Sequence, residues 1–260
     1  MRPIKSNIVG KGPLGQALRN YVPEDVPIVF FCVKAHALQG ALIEAHALWP
    51  GDVPFVTLSN GFFYEDLIAI KPMLLDRKLR LGMTTMGATI DDAGVLRVFS
   101  NGSMVAWGNE PRVWTATPIT SAESNLVKRN NNWKWVDDMT GHLRTKWIFN
   151  TTINTVCAAL TLKKNGFLTE HRSLTDLVFS EAYRLAGQLW PQILQDRSEM
   201  TQMNQELWGL IDKTAENENS MMRDVRLGRR TEAEYLSGFA KDAVLYPNLN
   251  RLHGSIPVPK

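Results

Sequence analysis

The sequence predicts an α/β domain followed by an all-helical domain. Three observations predict it. Short apolar runs alternate with helical stretches early in the chain, a glycine-rich turn sits where the first strand meets the first helix, and long helical patterns with few turn signals take over after about residue 138. The expected domains are 1–138 and 139–260, and 260 residues suffice for two modest cores.

Element by element, Asn7-Ile8-Val9 reads as a strand feeding Gly10 to Gly15, with Gln16 to Tyr21 a short helix. Ile28 to Val33 (IVFFCV) is apolar throughout, the pattern of a strand covered on both faces. Ala35 to Leu48 reads as a helix stopped by Pro50-Gly51. Phe55 to Leu58, Leu79 to Thr85 and Ser103 to Trp107 read as further strands. Gly141 to Leu162 and Leu174 to Leu194 read as long helices, with helical sequence continuing to about Val244.

A hydrophobic content of 44% and a charged content of 21% exclude disordered and fibrous classes. The net charge of +3 is small and dispersed, which argues against a nucleic-acid partner but suits a phosphate-bearing cofactor or an acidic substrate. Two cysteines far apart, Cys32 and Cys157, suggest neither a disulfide framework nor a metal site. The first residues lack the apolar stretch of a signal peptide and no 18-residue apolar run follows, so the expectation is a cytoplasmic protein with no membrane partner.

Gly10, Gly12 and Gly15 satisfy G-x-G-x-x-G. Such a turn is either free of ligand or a dinucleotide cradle. In the second case the first glycine makes the turn, the second admits a pyrophosphate, the third allows close helix–strand packing, and the helix N-terminus supplies N–H groups. The acidic ribose partner usual about 20 residues on is absent. Lys34 stands near that place, either as a cation for a phosphate or as a solvated strand end.

Lys146, Asn150 and Asn154 recur at i, i+4 and i+8, on one face of a helix whose neighbours Ile148, Phe149, Ile153, Val156 and Cys157 are apolar. Buried amides and ammonium groups need partners. Either an interhelical network or a ligand supplies them here. Downstream, Asn219 or Ser220 is a candidate N-cap, and Thr231 with Glu234 reads as a capping box, leaving Glu232 free to point elsewhere. Trp133, Trp135 and Trp190 are candidates for an exposed interface or for core packing.

Taken together, GKGPLG, VFFCVKAHAL, TLSNGFF, GMTTMGA, KWIFNTTINTV, KNGFL and ENENSMMRDVRLGRRTEAEYLSGF resemble the ketopantoate reductases, which reduce 2-dehydropantoate to pantoate with NADPH. The resemblance implies a Rossmann-like N-terminal domain and a helical substrate domain. It makes Lys146 the general acid, with Glu232 beside it and near the cofactor. It assigns substrate contacts to Asn60, Asn150, Asn154, Asn165, Asn217 and Ser220. The cofactor, NADP with NAD as the alternative, falls to Gly10, Lys11, Gly12, Pro13, Leu14, Gly15, Lys34, Asn60, Gly87 and Glu232. A small 2-oxo acid is the implied partner of a monomer or homodimer.

The chain departs from the family in its first domain. Only about twenty residues join Gly15 to Lys34, so the strand that ends at the adenosine ribose and its basic residue are missing. Arg144 stands where a tryptophan is frequent before the lysine. Three readings follow: a compact ketopantoate reductase, a reductase of another branched 2-oxo acid with Phe62, Phe63 and Phe167 as apolar surroundings, and a binding protein that has lost efficient cofactor use.

Overall fold

The computed structural model describes residues 7–74, 76–90, 93–98 and 104–258. The chain divides into two compact units, residues 1–59 with 63–143, and residues 60–62 with 144–260. The expected division near residue 138 lies just before a helix, whereas the units part inside that helix.

The first unit is built on a six-stranded sheet in the order β1-β2-β3-β4-β7-β8. In chain order it comprises β1 (Ile8–Val9), α1 (Pro13–Leu18), β2 (Val29–Phe31), α2 (Ala35–His46), β3 (Phe55–Thr57), α3 (Tyr64–Ile70) and β4 (Leu79–Thr84). A separate hairpin of β5 (Ala88–Ile90) and β6 (Leu96–Val98) precedes β7 (Val105–Gly108), α4 (Ser121–Arg129) and β8 (Trp133–Val136). The first four strands are parallel; β7 runs against β4 and parallel to β8. All of β2 is buried, the outcome its unbroken apolar run requires. On one face Phe30, Trp107 and Trp133 meet edge-on with centroids 5.7–5.8 Å apart, beside Leu18 and Leu126 from the helices.

The strand order has a consequence. In the six-stranded doubly wound sheet the first strand lies inside, and the dinucleotide straddles the point where the order reverses. Here β1 pairs with β2 and, among the described residues, no other strand, so the order runs without reversal.

Buried under the sheet is a cation with every nitrogen engaged. Arg80 donates through Nε to Glu123 at 2.9 Å, through Nη1 to Asn109 Oδ1 and Thr117 Oγ1 at 2.7 Å, and through Nη2 to the Pro118 carbonyl at 2.9 Å. Glu123 also closes a capping box with Thr120 at the start of α4.

The second unit is helical. It holds most of α5 (Thr140–Ala159), then α6 (Arg172–Leu189), α7 (Arg197–Lys213), α8 (Ser220–Arg226) and α9 (Pro247–Ser255), with 3-10 turns at Asn165–His171, Ala233–Tyr235 and Ser237–Phe239. The α/β-then-helical class read from the sequence is thus what the chain adopts.

One local expectation fails. The capping box at Thr231 does not form: Thr231 Oγ1 accepts from the Ala233 amide at 3.3 Å, two residues on rather than three, and Glu234 is exposed, 3.7 Å from His253. The chain makes a 3-10 turn there because Glu232 is drawn into the interior. Trp133 and Trp190 are buried core residues, which decides between their two readings in favour of core packing. Ser103 lies outside the described residues, and its strand begins at Val105.

Candidate functional site

The glycine turn folds as its spacing demands. Gly10 has φ +129°, and a Cβ there would lie 2.5 Å from the Cys32 carbonyl oxygen, so β1 and β2 can close only over glycine. A Cβ on Gly15 would lie 2.4 Å from the Gly10 carbonyl oxygen. The middle glycine differs: nothing stands within 4 Å of a Cβ on Gly12. The two outer glycines are needed by the protein itself, and the middle one leaves open space.

Pro13 opens α1 with its fixed φ, and Leu14 packs sideways onto the core. Leu14 and Gly15 fall in the first turn, where N–H groups have no preceding carbonyl to pair with. Lys11 is exposed, and its carbonyl oxygen accepts from Gln16 Nε2 at 2.9 Å. Lys34 lies three residues past β2, half-buried, at the N-cap of α2 with an extended backbone. Gly87 lies immediately before β5. These residues suit the pyrophosphate part of a dinucleotide. Among the described residues no strand lies between β1 and β2 to receive an adenosine ribose.

The second group of candidates gathers along α5. Lys146, Asn150 and Asn154 share one face over about 12 Å of axis, at about 1.5 Å per residue. Lys146 is half-buried and makes no side-chain hydrogen bond among the described residues; burial lowers its pKa to about 8, while the Glu232 carboxylate pulls it back up. Glu232 is buried at the start of the Ala233–Tyr235 turn. Asn150 Nδ2 donates to Asn60 Oδ1 at 3.4 Å, a long bond. Asn154 is only 6% exposed, and its amide has no side-chain hydrogen bond among the described residues.

What brings Asn60 to α5 is an anchor invisible in the sequence. The Tyr235 carbonyl accepts from the Phe62 amide at 2.8 Å and from Trp147 Nε1 at 3.0 Å. Gly61 between them has φ +101°, and its missing Cβ would meet Tyr235 Cβ at 2.5 Å. Phe62 then packs edge-on against Trp190, centroids 4.9 Å apart, so its ring belongs to the core and is not free to line a substrate pocket. Phe167 is exposed. Arg144, at 2% exposure, is held by Glu199 of α7 at 2.8 Å and lies over the Tyr183 ring of α6. It locks α5 to its neighbours, as a core tryptophan would.

The remaining candidates cluster around the start of α8. The Asn165 amide N–H donates to the Asn217 carbonyl at 3.0 Å, and Asn165 Nδ2 donates to Thr214 Oγ1 at 3.1 Å. Asn219 caps α8 by accepting from Met222 N at 3.0 Å, and Ser220 follows in the first turn, exposed. The structure therefore brings Lys146, Asn60, Asn150, Asn154 and Glu232 to one stretch of α5, and Asn165, Asn217 and Ser220 to one turn. Asn219 Nδ2 ties Asn165 to the start of α8, donating to Asn165 Oδ1 at 3.3 Å. Sequence reading missed that link, because it treated Asn219 only as a cap.

An α/β unit opened by a G-x-G-x-x-G turn, with a lysine half-buried near a carboxylate on a helical unit, defines a class of two-part nucleotide-turn proteins. Residues 138–242 match the family described as Ketopantoate reductase PanE/ApbA C terminal. A 2-dehydropantoate 2-reductase of Archaeoglobus fulgidus is 26% identical over 221 residues, which cover 83% of this chain and 69% of that protein. Among solved structures, a dimeric ketopantoate reductase from Staphylococcus aureus matches with a TM-score of 0.73 at 15% identity, covering 96% of both chains. A D-mandelate dehydrogenase in complex with NADH matches with a TM-score of 0.71 at 18% identity, covering 88% of this chain and 77% of the other. The resemblance to the ketopantoate reductases is borne out. Among the described residues, no helix is long and apolar enough to cross a membrane.

Proposed function

We propose that this protein is an NADPH-dependent reductase of a small 2-oxo acid, with 2-dehydropantoate its substrate. The observation that carries the reading is the state of the α5 face. Trp147 and Thr152 of α5 have internal hydrogen-bond partners, whereas Lys146 and Asn154 on the same helix have no hydrogen-bonded side-chain partner among the described residues. Polar groups held ready without partners are groups a ligand completes.

In this reading residues 1–138 hold the dinucleotide and residues 139–260 the 2-oxo acid. The cofactor supplies a hydride when bound, with the turn Gly10–Gly15, Lys34 and Gly87 holding its phosphates and backbone-facing edges. NAD is the alternative. Asn60, Asn150 and Asn154 bind the substrate's oxygens without adding charge, and Asn217 with Ser220 receives its carboxylate. Lys146 Nζ donates a proton to the ketone oxygen as negative charge gathers there. A pKa of about 8 keeps it mostly protonated at neutral pH yet ready to give the proton up. Glu232 favours the charged ammonium. The two free cysteines suit a reducing compartment, and we place the protein in the cytoplasm as a monomer or homodimer.

The test is oxidation of NADPH by purified protein with 2-dehydropantoate. Turnover is expected in the wild type. In Lys146→Ala the rate should fall by about 10³-fold, with circular dichroism unchanged. An undiminished rate in that variant contradicts the reading.

The end position of β1 in the strand order, among the described residues, favours a second reading, a substrate-binding protein without efficient cofactor use. Calorimetry separates the two: heat on adding NADPH or NADH supports the reductase, and none at millimolar concentration supports the alternative.

A further inference from the structure

Asn219, given no role in the reaction above, stands at the start of α8 beside Ser220 and reaches Asn165 with its side chain. Its Oδ1 accepts from Met222 N at 3.0 Å, and its Nδ2 donates to Asn165 Oδ1 at 3.3 Å. A helix cap needs an oxygen acceptor only, and serine or aspartate serves as well as asparagine. The amide nitrogen is therefore surplus to capping, and it is the part that reaches Asn165.

Asn165 is engaged on both sides. Its Oδ1 receives Asn219, its Nδ2 gives to Thr214 Oγ1 at 3.1 Å, and Thr214 in turn gives to the Leu210 carbonyl at 2.8 Å. Its backbone ties to Asn217, and Gly166 N ties to the Ala215 carbonyl at 2.9 Å. A side chain bound this way builds a wall.

We infer that Asn219 is a positioning residue of the substrate site: its amide orients Asn165 and ties it to the Asn217–Ser220 turn. Asn165 then acts by fixing that turn. The inference rests on the reductase reading and deepens it, by naming what sets the site's carboxylate end.

The test compares Asn219→Ser and Asn219→Asp with the wild-type enzyme. Both variants keep an oxygen cap, so their melting temperatures should stay near the wild type's. Both lose the donor to Asn165, and the KM for the 2-oxo acid should rise about tenfold, with kcat within about twofold and the KM for NADPH unchanged. The neutral serine variant separates loss of the bridge from the charge that aspartate adds. Unchanged KM in both variants overturns the inference and leaves Asn219 a cap alone, with the reductase reading intact. A wild-type protein without turnover overturns the reductase reading, and the inference with it.

Discussion

Arg80 and Lys146 are both cations withdrawn from solvent, each with a glutamate for company, and they are finished differently. Arg80 has 0% side-chain exposure, and Glu123, Asn109, Thr117 and Pro118 occupy its nitrogens. Lys146 has the nearby charge of Glu232 but no hydrogen-bonded side-chain partner among the described residues, and burial has lowered its pKa to about 8. A buried charge is costly unless paired and hydrogen-bonded. The closed arrangement spends its cation on holding β4, α4 and the chain after β7 together. In the proposed reading the open one keeps its cation for a ligand. What distinguishes structure from function here is whether the donors are used up.

The contrast is sharpest when each cation's surroundings are altered. Arg80→Ala should destabilise the protein by about 3–5 kcal/mol, because Glu123 is left as an uncompensated buried carboxylate. Urea unfolding measures it; a loss under about 1 kcal/mol would mean that water reaches Glu123. Asn154→Ala should leave stability nearly unchanged, since its amide gives no internal hydrogen bond, and should raise the KM for the 2-oxo acid about tenfold. A large fall in melting temperature with unchanged KM would move Asn154 to the closed class.

Two nearly identical tetrapeptides show how far the sequence could be read. Thr120-Ser121-Ala122-Glu123 and Thr231-Glu232-Ala233-Glu234 both carry the spacing of a capping box. The first forms one, and its glutamate also pairs with Arg80. The second does not, because its second residue, Glu232, is buried and the backbone turns 3-10 to take it inward. Local spacing cannot tell them apart; burial of one carboxylate decides. The lysine and two asparagines on α5 were legible because the i, i+4, i+8 pattern is a property of the helix alone. β8 and the β5–β6 hairpin were not, since each is too short for its alternation to rise above chance, and their pairing depends on partners distant in sequence. The Tyr235 carbonyl that fixes both Phe62 and Trp147 was equally hidden, because a backbone acceptor leaves no mark on residue type.

The most direct test of the account is the pH dependence of kcat/KM for reduction in the wild type and in Glu232→Gln. The reaction needs Lys146 protonated, so the wild-type rate should be flat below about 8 and fall tenfold per pH unit above it. Glu232 raises the lysine's pKa, so removing its charge should move the break to lower pH. A wild-type profile with no break between about pH 7 and 9, or a break that moves upward in Glu232→Gln, would contradict the assignment of Lys146 as the acid.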